Sequence, residues 1–101
     1  MVLLFHNQES EYETFLAEAP AFVCNNLDTG LQYHRLHKSE CNTLNRAGPA
    51  RFGLHTSVKK AGSHELAELV RWLSRNYGSE GEGFTYCRHC FNQYAPVERE
   101  N

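Results

Sequence analysis

Two fragments of this chain hold residues that can bind a metal ion. "LHKSEC" (36–41) places three residues between His37 and Cys41, and "YCRHC" (86–90) places two between Cys87 and Cys90. Zinc takes nitrogen and sulfur donors in a tetrahedron, commonly from His and Cys. A C-x2-C pair suits it because a tight turn aims both sulfurs at one point. The His37/Cys41 spacing works in either of two geometries. His37 can end a strand with Cys41 in the first turn of the next helix, or both can lie on one helix face at i, i+4. The four residues together read as a single zinc site. His34 and His89 are alternatives for the place of His37, which the spacing to Cys41 favours. The competing reading makes Cys41 a small buried hydrophobe and Cys87/Cys90 incidental or redox-active. A redox C-x-x-C usually opens a helix after a strand in a thioredoxin-like pattern, which this sequence does not display. Cys24, in the apolar "AFVCN", reads as a core cysteine. His6, His55 and His64 have no partners by spacing.

A zinc ion with four protein donors keeps no position for water or substrate, so this set predicts a structural site. The deaminase signature H-x-E…P-C-x-x-C fails twice: the acid after His37 is Glu40, and Tyr86 precedes Cys87. No H-E-x-x-H occurs. An HNH-type nuclease is a remote alternative resting on His34, His37, Asn42, Asn45 and His55, but their spacing is wrong and His37 is needed for zinc. There is no Gly-rich phosphate loop and no convincing Ser/His/Asp set. The sequence leans away from an enzyme.

The elements that must position these ligands are short. With 101 residues, 41% hydrophobic and 22% charged, the chain reads as one globular domain over 1–101. So small a domain buries a modest core, and a metal would stabilise it. "ESEYETFLAEAP" (9–20) predicts a helix capped by Ser10 with Glu13 completing a capping box. Its apolar face is Tyr12, Phe15, Leu16 and Ala19, and Pro20 stops it. "AFVCN" (21–25) and "LQYHRL" (31–36) predict strands around a turn ending in Gly30. Ser39 is placed to cap a short helix to about Asn45. Gly48-Pro49 breaks the chain, and Thr56–Lys59 is a weak strand candidate. "SHELAELVRWLSRNYG" (63–78) predicts a helix with Ser63 as N-cap and Gly78 as its stop. Leu66, Leu69, Val70, Leu73 and Tyr77 form its apolar stripe, Trp72 lies at the core edge, and Arg71 and Arg75 point away. "FTY" (84–86) predicts a strand leading into the cysteine pair. The expected fold is α+β, a small zinc-stabilised domain with a short antiparallel sheet and two to three helices.

This order of features resembles a group of small bacterial zinc-binding modules with an H-x3-C…C-x2-C ligand pattern. The likeness spans about residues 10–91: a short helix, "AFVCN", "LHKSEC", the helix "HELAELVRWL", then C-x-x-C. It implies zinc ligands at His37, Cys41, Cys87 and Cys90, with Lys38 and Ser39 in the basic and small positions after the histidine. The chain departs from the pattern with Phe22 in a Tyr place, Cys24 in a Leu place, and "SHEL" one residue short.

Net charge is −2, yet between Arg35 and Lys60 six basic residues stand against one acid, Glu40. Arg35, Lys38, Arg46, Arg51, Lys59 and Lys60 therefore suggest a local basic face for nucleic acid. Arg71, Arg75, Tyr33 and Phe52 are possible additions to it. The alternative is a protein-interaction or regulatory adaptor module. "VLLF" is far short of a secretory core, and no stretch approaches a membrane span. Cysteines that bind metal rather than pair suggest a reducing cytoplasm.

Overall fold

The computed structural model describes residues 1–41, 56 and 58–91. Asn42, Asn45, Arg46, Gly48-Pro49, Arg51, Phe52 and His55 lie outside them, as does the end of the helix expected from Ser39.

The described elements are β1 (Leu3–Phe5), α1 (Glu9–Leu16), β2 (Phe22–Asn25), a 3-10 turn (Leu31–Tyr33), β3 (Arg35–Lys38), β4 (Lys60–Ser63), α2 (Leu66–Asn76) and β5 (Thr85–Tyr86). They form a five-stranded sheet in the order β1-β4-β2-β3-β5. The β1/β4, β4/β2 and β2/β3 pairs are antiparallel, while β3 and β5 are parallel. The fold is α+β as expected, but the sheet is mixed rather than antiparallel. The chain runs through β4 and α2 before returning as β5, and a long return of that kind permits parallel pairing where a hairpin cannot.

Period-2 alternation sorts the strand residues onto two faces. Val23 packs with Phe5, Tyr12, Phe15 and Ala21 on the α1 side, where Cys41 and Cys87 also lie. Its neighbour Cys24 packs with Leu36, Ala61, Leu69, Leu73, Phe84 and Phe91 on the α2 side. Leu69 and Leu73 of the predicted stripe are fully buried. Trp72 packs at the margin, edge-on to Tyr77. Gly62 is required where β4 passes under α1, because a Cβ there would come within 2.7 Å of the Phe15 ring.

Several local expectations are corrected. Ser10 lies inside α1, and Gln8 at its N-cap makes no side-chain capping bond. Leu31–Tyr33 form a 3-10 turn with Leu31 and Tyr33 exposed, so β3 starts only at Arg35. Ser63 is not the N-cap of α2, because strand pairing with Phe22 claims it. Its hydroxyl instead accepts the Glu65 N–H and donates to Glu68. Gly78, at φ +130°, follows the last turn as expected. β1 was not foreseen, since three residues carry too little pattern to separate from a loop.

Candidate metal centre

His37 lies in the middle of β3, opposite Val23 in the antiparallel register, so its side chain points to the α1 face. The chain turns immediately after β3, and the Cys41 N–H donates to the Lys38 carbonyl at 3.0 Å. That turn folds Cys41 back towards His37. This is the strand arm of the first expected geometry, but residues 39–41 form a turn and not the helix expected to begin at Ser39.

The other half arrives on β5. The parallel register pairs Leu36 with Tyr86, so the next residue on each strand, His37 and Cys87, comes level. The Cys87 N–H donates to the Leu36 carbonyl at 2.9 Å, and the Phe91 N–H closes the turn onto the Cys87 carbonyl at 3.0 Å. The Lys38 N–H donates to the Cys90 sulfur at 3.2 Å, tying the two halves together through a candidate ligand. Backbone donors of this kind orient thiolates and offset their charge.

One ligand atom from each of His37, Cys41, Cys87 and Cys90 falls within 4.8 Å of all the others. The Cys41 and Cys87 sulfurs are 3.8 Å apart. A tetrahedron with zinc–sulfur bonds of about 2.3 Å has a sulfur–sulfur edge of about 3.8 Å, so this pair already stands at ligand spacing. The imidazole fits as well. His37 is 6% exposed, and its Nδ1 is buried with no hydrogen-bond partner among the described residues. A metal bond would satisfy such a nitrogen.

The electrostatics agree. Burial, with the positive charges of Lys60 and Arg35, pushes His37 down to about 4, so at neutral pH it is an uncharged donor. Burial raises the Cys90 thiol, against the pull of the Lys38 N–H. A thiol raised in this way resists ionisation until a cation compensates it, and a bound divalent ion reverses that preference. The four residues are therefore compatible with a metal site.

The other candidates lie elsewhere. His34 is buried, with Nδ1 3.0 Å from the Gly83 carbonyl and its ring edge-on to Tyr77. His89 is exposed and lines an open cleft beside Cys90. Neither belongs to the four-residue cluster. Cys24 is fully buried on the α2 side, and burial pushes its thiol up to about 12.

Of the basic residues, Arg35 is exposed, and Lys38 and Lys59 are half-buried. The Lys38 ammonium sits 5.2 Å from the centre of the Phe91 ring. Lys60 is only 1% exposed, its ammonium bonded to Asn25 and over the Tyr12 ring. Its charge is held inside the sheet's α1 face and is absent from the surface expected for it. Arg71, Arg75 and Arg88 are exposed. Arg88 was passed over in the sequence, although its place in a turn between two inward-facing cysteines signals exposure.

Comparison with known protein families, curated proteins and solved structures finds no match to this chain. Among the described residues, no helix is long and apolar enough to cross a membrane.

Proposed function

We propose that this chain is a structural-zinc domain, akin to the H-x3-C…C-x2-C modules it resembles, and that it acts as a non-catalytic binding module for nucleic acid. The carrying observation is the donor set. One imidazole and three sulfurs converge from two chain segments, and four protein donors complete zinc's usual shell. Zinc in such a place organises a surface rather than a reaction. Lys38 and His89 line the adjoining cleft, Arg88 is exposed between the two cysteines, and exposed Arg35 and Tyr33 stand nearby in sequence. Such residues supply phosphate contacts and a ring for base stacking. A reducing compartment such as the cytoplasm suits thiols kept for metal.

Fluorescence anisotropy with single-stranded DNA and RNA tests this reading. Binding at low salt is expected to weaken steeply as salt rises. Arg88→Ala and Arg35→Ala are each expected to lower the slope of log K against log salt by about 1. No binding to either polymer at low salt would overturn the nucleic-acid reading.

A second reading, a protein-interaction module, draws on a different observation. Leu3 of edge strand β1 is 38% exposed and lines a groove with Phe15 that Glu11 and Glu18 rim. A stable partner recovered after nuclease treatment and lost in Leu3→Lys would favour it.

A further inference from the structure

The four ligands are not equally shielded. His37, Cys41 and Cys87 are buried, while Cys90 is half-buried. Beside the centre lies an open cleft of about 450 Å³ lined by Lys38, Glu40, Cys41, His89 and Cys90. Two of the three sulfur ligands thus border solvent-accessible space, and the third, Cys87, is 5% exposed behind them. The Lys38 N–H bond holds the Cys90 sulfur at the cleft. Reagents small enough to enter meet Cys90 first.

We propose that Cys90 is a hydroperoxide-reactive modification site and that Cys41 resolves it, so that oxidation forms a Cys41–Cys90 disulfide and discharges the metal. This rests on the zinc reading above. The donor atoms of the cluster all lie within 4.8 Å, so the two sulfurs need approach by less than about 3 Å to reach disulfide length.

With hydrogen peroxide as oxidant the steps balance. The Cys90 thiolate attacks one peroxide oxygen; an S–O bond forms, the O–O bond breaks, and the departing hydroxide takes a proton to become water. The Cys41 thiolate then attacks the Cys90 sulfenic acid. An S–S bond forms, the S–O bond breaks, and a second hydroxide is protonated by solvent. Two thiolates have lost two electrons, and one peroxide with two protons has become two waters. His37 and Cys87 remain, too few donors to retain zinc. The new bond joins the same two segments that the metal joined, so the halves stay tied after the metal leaves. A Cys87–Cys90 bond would not do this, because both residues belong to one turn.

The test uses the full chain. Zinc content is measured first by mass spectrometry. Hydrogen peroxide is then added in steps, with released zinc read by a chromogenic chelator and disulfides mapped by peptide mass spectrometry. A single zinc per chain is expected at the start, lost in proportion to two thiols, with a Cys41–Cys90 peptide as product. A brief pulse of N-ethylmaleimide is expected to label Cys90 about tenfold faster than Cys87, following exposure. Formation of Cys87–Cys90, first reaction at Cys24, zinc retained after thiol loss, or no reaction with excess peroxide would each overturn the proposal while leaving the zinc reading intact. A zinc-free purified protein would overturn the zinc reading, and the proposal with it, before any peroxide is added.

Discussion

Cys41 and Cys87 stand 46 residues apart in the chain, yet their sulfurs lie 3.8 Å apart on the α1 side of the sheet. Neither residue reaches the other by local geometry. A tight turn after β3 delivers Cys41, and the parallel pairing of β5 with β3 delivers Cys87. A metal bound at this point would be coupled to the sheet itself.

Removing one ligand should therefore remove the fold. Structural zinc contributes on the order of 10 kcal/mol in finger peptides, comparable to the whole stability of a small domain. Cys87→Ser is expected to lose zinc and to show no cooperative thermal transition. Cys24→Ser is the control. It places a hydroxyl in the α2-side core at a cost of about 1–3 kcal/mol, with zinc content unchanged. Metal analysis and thermal denaturation of both variants check this, and equal zinc loss in the two would contradict it.

Zinc affinity should fall steeply in acid, and the sign follows from the ligands. Thiols ordinarily titrate near 8.5, and Cys90 is raised further, so below that range metal binding must displace thiol protons. His37 is held down to about 4 only while it is buried beside Lys60 and Arg35, so a metal-free chain that unfolds regains an ordinary imidazole. Competition against a chelator should show release of up to about three protons per zinc at about pH 8 and a fraction of a fourth at about pH 6. No fourth proton in the more acid arm would mean that the metal-free chain keeps His37 buried.

Gly62→Ala should destabilise without touching the metal ligands. The added Cβ would come within 2.7 Å of the Phe15 ring, which is itself packed on Phe5. Overpacking of this kind costs about 1–3 kcal/mol. Urea unfolding is expected to show a lower midpoint with the zinc content of the wild type.

Ser63→Ala should weaken the junction between β4 and α2. It removes the acceptor of the Glu65 N–H and the donor to Glu68. A loss of about 1 kcal/mol is expected in urea unfolding, again with zinc retained. An unchanged midpoint would show that water replaces the hydroxyl at both partners.

The four residues that converge were legible from spacing alone. H-x3-C and C-x2-C are short enough that one turn of backbone decides where each pair can point. The stripe of α2 was legible for the same reason, since 3.6-residue periodicity is local. Even so, the choice of His37 over His34 rests on register. Pairing His37 with Val23 turns it to the α1 face, while His34, just before β3, is held by Gly83.

Register and strand order depend on which faces are buried against distant elements, and no local signal encodes them. The parallel edge that aligns Cys87 with His37 follows from how α2 and β4 occupy the intervening chain. The same is true of Lys60, which reads as one of a run of basic residues but pairs with Phe5 across β1 and faces Tyr12. The sequence specified which atoms could bind a metal. Only the packed sheet decided that four of them meet, that Lys60 does not reach the surface, and that Cys90 is the member of the cluster left beside the cleft.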